Sequence, residues 1–257
     1  MYSDLAIETG LALPLVLHLG LRQTLGALGS IADFLDVDVR IPDHTTFSRR
    51  GDRLTMLTNP VGRGEPLHLL IDSPGLKMYG EGEWLHEKRG GRSRRRWRKL
   101  PLAVDTTTQA IAARELTPDD VGDMTALPDL LDRIADTVGS VTADGAYDGD
   151  TVYHAVLQRH PDADAIVPPA STAVVSGTSR RDEPLETIEK HGRIGWQRRS
   201  GYGRRSLVET AMYRYKTLIG RRLHARTLPN QQTEAKIGCS VINRMIRLGM
   251  PVSVRVR

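Results

Sequence analysis

Val138-Gly-Ser-Val-Thr-Ala-Asp144 is a short apolar run that halts on a carboxylate and is followed at once by Gly145. Its length and β-branched content read as a buried strand, and the Asp-Gly pair as the turn that closes it. The same grammar occurs upstream, where Pro66-Leu-His-Leu-Leu-Ile71 stops at Asp72 before Ser73 and Pro74. In a mixed sheet the ends of neighbouring strands are where a site is built. Two carboxylates side by side repel each other unless a cation lies between them. Magnesium prefers oxygen ligands and keeps several waters, so a few carboxylates suffice. Two such ions about 3.5–4 Å apart can activate one oxygen and stabilise another in phosphoryl transfer. A single Asp after a strand is weak evidence, because Asp is a common turn former. Asp105, Asp148 and Asp150 are rivals with similar local context, although Asp105 precedes Thr106-Thr-Thr108 and reads as a plain hairpin turn.

Outward from these runs the chain reads as mixed α/β. Residues 4–53 look helical. Pro14 is expected to kink or restart the first helix, and a second begins near Arg22, with Leu25, Leu28, Ile31, Phe34 and Leu35 at three- or four-residue steps. Pro42 ends an element, and Asp43 or Thr45 can cap a short helix presenting His44, Thr46, Ser48, Arg49 and Arg50. The turn before it lacks a diagnostic motif. A small helical packing domain over 1–60 is therefore preferred, with a DNA-binding helix–turn–helix as the alternative.

Further strands are expected over 77–84 and 97–104, with a hairpin partner at 109–115. Helices are expected over 119–134 and 150–160, and a strand over 163–168. Residues 170–200, polar and cationic, read as a long loop or insertion with little core. Strong amphipathic helices follow over 207–223 and 234–248. The domain at 61–257 is a layered sheet with flanking helices, not an alternating barrel.

The 257 residues carry a formal net charge of +5, which conceals a strong asymmetry. Acidic residues concentrate near 117–164, while Arg clusters at 88–99, 193–205 and 214–226. Local cationic blocks around an acidic region suit a polyanionic partner. The basic loop at 86–99 holds Arg94, Arg95, Arg96, Arg98 and Lys99. Arg forks bind phosphate bidentately, so DNA contact is preferred over a solvated loop; Trp97 reads as core. The single cysteine, Cys239, excludes an internal disulfide and suits a reducing compartment. The apolar stretch Leu11–Leu21 is too short to span a bilayer, and no signal peptide is evident. A cytoplasmic protein without a membrane partner is expected.

The third acidic candidate lies in Tyr202-Gly-Arg-Arg-Ser-Leu-Val-Glu-Thr-Ala-Met-Tyr-Arg-Tyr-Lys216. Projected as an α-helix at about 100° per residue, Tyr202 falls about 20° to one side of Glu209, and Lys216 and Arg205 about 20° and 40° to the other. Leu207, Val208, Met212, Leu218 and Ile219 occupy a separate arc. A carboxylate between cations on one stripe suits a metal ligand flanked by phosphate clamps. Intrahelical ion pairing would explain Glu209 with Arg205 but not the other two.

The spacing of Tyr202, Arg205, Glu209 and Lys216 resembles the Tyr-(2)-Arg-(3)-Glu-(6)-Lys signature of bacterial DDE insertion-sequence transposases, in particular the insertion-sequence-five family. Tyr2-Ser-Asp-Leu-Ala-Ile7, Pro42-Asp-His-Thr-Thr46, Ile71-Asp-Ser73, Trp97-Arg-Lys99, Ala143-Asp-Gly-Ala-Tyr-Asp148 and Ile242-Asn-Arg-Met245 agree with it, so the likeness runs along nearly the whole chain. It implies a ribonuclease H-like fold, with Asp72, Asp144 and Glu209 holding two Mg2+ or Mn2+ ions. It also implies cleavage at inverted-repeat ends followed by strand transfer into target DNA, and an active complex of more than one copy. Tyr202, Arg205 and Lys216 would contact terminal phosphates. The family usually has a longer region before the Tyr-Ser-Asp-Leu-Ala-Ile segment, so an N-terminally shortened chain is expected. The alternatives are a metal-dependent nuclease and a non-catalytic DNA-binding relic or inhibitor.

Overall fold

Leu67-His-Leu-Leu-Ile-Asp72 is apolar along most of its length because it forms a central strand with both faces covered. The computed structural model describes residues 2–51, 53–54, 64–78, 97–177 and 179–249. Three helices come first, α1 (Asp4–Leu17), α2 (Leu21–Phe34) and α3 (His44–Gly51). Strands β1 (Leu67–Asp72), β2 (Gly75–Met78), β3 (Trp97–Lys99), β4 (Leu102–Asp105), β5 (Ile111–Arg114) and β6 (Thr117–Pro118) follow. Then come α4 (Asp123–Leu131), β7 (Val138–Thr142), α5 (Asp150–Arg159), β8 (Asp164–Ile166) and α6 (Asp182–Ser200). The last elements are α7 (Ser206–Leu218), β9 (Arg222–Leu223) and α8 (Leu228–Leu248). The chain divides into two units, one of residues 1–59, 76–97 and 214–257, the other of residues 60–75 and 98–213.

The second unit is built on a five-stranded sheet of order β5-β4-β1-β7-β8. β4 pairs antiparallel with both β1 and β5, whereas β1, β7 and β8 run parallel. This order and sense define a ribonuclease H-like fold, as expected. Its core joins Leu67, Leu69 and Ile71 of β1 to Val138 and Val141 of β7, with Leu127, Leu130 and Leu131 of α4 and Val152 and Val156 of α5. A short β3–β6 pair adjoins it in the chain, with Lys99 opposite Thr117.

The first unit is mainly helical. Ile7 of α1, Phe47 of α3, Leu54 and Ile237 of α8 form its core. Gly10 packs so closely on Phe47 that an added Cβ would lie 2.1 Å from the ring. Thr233 Oγ1 donates to Gly51 O at 2.9 Å, tying α8 to α3. β2 and β9 pair in parallel in this unit, Lys77 opposite Arg222.

Several expectations need correction. Pro14 neither stops nor restarts α1, which continues to Leu17. The connection Leu35–Asp43 is much longer than a helix–turn–helix turn, so α2 and α3 do not form that motif. Only the inner half of the α2 stripe is packed: Leu25 and Leu28 join the core, while Phe34 is 89% exposed. The strand expected over 97–104 breaks at Leu100-Pro101 into β3 and β4, where Pro101 supplies no N–H to a ladder. The helix expected from 119 starts at Asp123, after β6 and the N-cap Gly122. The strand expected over 77–84 lies largely outside the described residues beyond Met78, as do Arg94, Arg95 and Arg96.

The largest difference is over 170–200, which holds the 19-residue helix α6, broken at Gly192 with φ 72°. Asp182 organises its entry by accepting the amides of Ser176 and Gly177 at 2.9 and 2.8 Å, and Trp196 is buried near its end. The last helix begins at Leu228, six residues before the expected Glu234. Among the described residues no single helix is long and apolar enough to cross a membrane.

Candidate active site

Parallel pairing of β1 with β7 places Leu70 opposite Thr142. Asp72 ends β1 and Asp144 follows β7 by two residues, so both lie at the carboxyl ends of neighbouring parallel strands. The repeated strand–Asp pattern thus becomes a pair of neighbouring carboxylates. Asp144 also begins a 3₁₀ turn, its Oδ1 accepting from Ala146 N at 3.0 Å. That bond fixes one carboxylate oxygen and turns the other toward the Arg205 side.

Glu209 comes from α7. Chain entry to this helix is set by Gly201, whose φ of 69° is a left-handed conformation that glycine adopts without strain. Residues Tyr202–Arg205 then form a 3₁₀ turn. The α-helical projection therefore fails for Tyr202 and Arg205, and Lys216 alone stays in helical phase with Glu209, seven residues further along α7.

Arg205 nevertheless unites the three acids. Its Nη2 lies 3.8 Å from Asp72 Oδ1 and 3.2 Å from Asp144 Oδ2, and its Nη1 lies 3.5 Å from Glu209 Oε1. One guanidinium is thus shared among carboxylates from two strands and a helix. The Asp144 contact is a hydrogen bond; the other two are looser ion pairs. The Glu209 side chain remains 67% exposed.

Electrostatics follow from this placement. Burial pushes the Asp72 carboxyl above its ordinary value, and neighbouring Asp144 and Glu209 add to the rise. The Ser73 amide and Arg205 oppose it without cancelling it. Tyr147, buried under the same edge, has its phenol raised by burial first and then by Asp123, Asp72 and Asp144. Burial also raises the Tyr202 phenol, with Arg205 opposing. The Tyr202 ring stands 5.4 Å from that of Trp196, tilted by 38°.

The rival acids have other roles. Asp105 is buried and accepts from Thr108 N and Oγ1 at 2.7 and 2.8 Å, closing the β4–β5 turn as read. Asp148 forms a two-pronged pair with Arg181 at 2.7 and 2.8 Å and accepts from Ala170 N at 2.7 Å. Asp150 accepts from Ser179 Oγ. Sequence reasoning missed Asp148 and Arg181 as positioning residues; they hold the 170–181 segment to the chain just after Asp144.

The expected DNA contacts divide similarly. Lys99 Nζ donates to Val121 O at 2.9 Å and to Asp123 at 3.1 Å, so it ties β3 to the entry of α4. Arg50 joins Tyr2 O and Asp4 and fastens α3 to the start of α1. Arg49 is exposed, its Nε donating to Thr45 O at 3.3 Å. Arg98 is half-buried on β3.

Three carboxylates, two beside the edge of a ribonuclease H-like sheet and one from α7, thus face a single guanidinium. Residues 63–244 match the family described as Transposase DDE domain, and residues 1–81 match a second family of the same description. The chain belongs to the Transposase DDE domain family. Among solved structures it is similar to the cryo-EM structure of piggyBac transposase synaptic complex with hairpin DNA. The identity is 14% and the TM-score 0.45, over 71% of this chain and 47% of that chain. This chain therefore spans less than half the length of that protein.

Proposed function

We propose that this protein cuts the ends of a mobile DNA element and joins them to target DNA, with Asp72, Asp144 and Glu209 as its metal-binding carboxylates. The observation that carries the reading is the convergence of these three side chains on one guanidinium, supported by membership of the transposase family.

The donor set suits a hard divalent cation. It consists of carboxylate oxygens, all turned toward one positive group. Among the described residues no three His, Cys, Asp or Glu side chains are close enough to share a metal ion; here Arg205 stands between the acids. Asp72, Asp144 and Glu209 would hold two Mg2+ or Mn2+ ions, which supply activation of the attacking oxygen and stabilisation of the leaving one.

The chain's own residues do the positioning. Strand register keeps Asp72 and Asp144 in step, and α7 brings Glu209 to them. Arg205 offsets acidic repulsion while the carboxylates face only one another. A phosphate offers the same fork geometry, so Arg205 can transfer from carboxylates to DNA. Tyr202 and Lys216 lie on either side of Glu209 in the chain and would hold terminal phosphates. The active assembly would contain more than one copy, one for each paired end.

The test incubates purified protein and Mg2+ with duplexes carrying the element's own terminal sequences and a labelled target. Cleaved ends and joined product are expected. Nicking without joining would reassign the protein as a nuclease. Binding without any cut, unchanged by Asp72→Ala, would reassign it as a DNA-binding relic.

A further inference from the structure

We infer that two copies of this chain pair through their helical units, residues 31–39 at the end of α2 in each copy seating in an apolar pocket of the other. The inference supplies a surface for the multi-copy assembly proposed above and rests on that part of the reading. It uses no residue of the acidic site and needs no DNA.

The projecting part is Ile31-Ala-Asp-Phe-Leu-Asp-Val-Asp-Val39. Ile31, Phe34 and Leu35 continue the apolar stripe of α2 past the core, and all three are exposed, as are Val37 and Val39. Together these five side chains present on the order of several hundred Å² of apolar surface, a patch size that marks an interaction site. The segment is held in one shape. Asp36 is left-handed at φ 51°, Val37 N donates to Ala32 O at 3.0 Å, and Asp36 N donates to Asp33 O at 3.1 Å. These are the two bonds of a Schellman motif, which closes the helix and fixes the direction of the residues after it.

The receiving part is an apolar pocket of about 660 Å³ in the same unit. Leu15 of α1, Leu19 of the turn after it, Phe47 of α3, Ile219 after α7 and Ile237 of α8 line it. Its volume is in the range of pockets that seat a ligand. The acid among its lining residues, Glu234, is buried and already engaged. It accepts from His224 N at 2.9 Å and from Ala225 N at 2.8 Å, and faces His224 Nδ1 at 3.1 Å. The exposed lining residues His18, His224 and Arg226 give the pocket a basic edge. Arg22 and Arg49 line an adjoining cleft that shares Gly20, Leu21, Ser48 and Arg226 with it.

Charge selects the occupant. Asp33, Asp36 and Asp38 alternate with the apolar residues of the projecting segment and are exposed. Among the described residues none of the three is in an ion pair. Apolar side chains edged by carboxylates thus fit an apolar pocket edged by cations, which favours this partner and its orientation. The segment does not reach the pocket of its own chain. Leu21 at the start of α2 lines that pocket, and Phe34 is at the far end of the helix, about 20 Å away. A small apolar ligand would fill the pocket and leave the stripe in water, whereas a second copy covers both. Reciprocal seating across a twofold axis closes the pair instead of propagating a filament. Two such contacts, counted on both sides, come to on the order of 1,200–2,000 Å², the size of a stable interface.

The experiment measures the oligomeric state of the purified chain, without DNA, by sedimentation over a range of concentrations. A dimer is expected. Phe34→Ser, on the exposed stripe, should keep the native melting curve and raise the dimer Kd at least about 30-fold. Leu19→Trp, which fills the pocket, should do the same. A mixture of these two variants restores one of the two contacts and should associate more tightly than either variant alone. The charge reversal Asp36→Arg/Asp38→Arg should weaken pairing, and adding Arg226→Glu to it should recover part of the loss. The charge variants keep the proposal testable if Leu19→Trp fails to fold. A monomeric native chain, or a dimer that none of these changes weakens, overturns the contact. If such a chain still cuts and joins element ends, the proposed function stands and this surface alone is removed.

Discussion

Asp144 and Asp148 are four residues apart, each meets an arginine, and the two surroundings are opposite in kind. The Asp148–Arg181 pair is two-pronged and short, and the Asp148 side chain is only 1% exposed. Burial pushes the Asp148 carboxyl up, but the Arg181 hydrogen bonds, the Ala170 amide and the Arg181 charge outweigh it and leave the pKa lowered. At the sheet edge a single Arg205 is stretched over Asp72, Asp144 and Glu209, and Asp72 is left with a raised pKa. A carboxylate that holds the fold together is saturated by its neighbours. Under the proposed function the under-satisfied Asp72 is the carboxylate kept for chemistry, and the metal-free protein is less stable for it.

The comparison can be broken most directly by single-turnover cleavage. Asp72→Asn or Asp144→Asn should lower the rate at least about 1000-fold, about 4 kcal/mol, while DNA affinity stays equal or rises. Full cleavage by either variant would remove these residues from the site. Asp148→Asn should leave DNA affinity near native but cost about 3 kcal/mol of stability by breaking a buried pair. For a chain of this size that is a fall in Tm of about 6–12 °C. An unshifted melting curve would show that the Arg181 pair does not hold the loop.

Divalent metal should act on one region only. Mg2+ or Mn2+ at about 100 times its Kd should stabilise the native chain by about 2.7 kcal/mol, and chelator should reverse this. The Asp72→Asn/Asp144→Asn double variant should not respond; an equal response would place the ion elsewhere.

The two carboxylates also differ in the sign of their pH dependence. Asp72 binds its proton more tightly folded than unfolded. The metal-free protein therefore loses stability as pH rises from the ordinary 3.8 through the raised value. Asp148 binds its proton more weakly when folded, so its contribution is complete above 3.8 and disappears as pH falls through the lowered value. Melting curves against pH should flatten on the Asp72 side in Asp72→Asn. The smallest effect expected is that of Lys216→Ala, which should reduce the salt slope of DNA binding by about 1. An unchanged slope would remove Lys216 from the phosphate contacts.

Much of the sheet was legible because its signal is local. The apolar runs before Asp72 and Asp144 could be read without knowing their partners, and parallel pairing sets those two runs side by side. The hairpin at Asp105 was legible for the same reason. The 170–200 segment was not, because α6 is polar and is interrupted at Gly192. What makes it a helix is the reach of Asp182 to Ser176 and Gly177 and the burial of Trp196, neither of which shows as periodicity. The wheel drawn through Tyr202 failed because Gly201 and a 3₁₀ turn precede α7. Arg205 nonetheless pairs with Glu209 four residues on. Its contacts with Asp72 and Asp144 are tertiary and had no local signal.

The sideways pairing of β1 with β7 has a consequence for engineering. The acidic pair is aligned by the ladder between two strands and not by the length of chain that joins them. The excursion through β4, β5 and α4 can therefore be lengthened without drawing Asp72 and Asp144 out of step. Thr107, exposed at the tip of the β4–β5 hairpin, is a natural place to splice in an epitope or fluorophore tag.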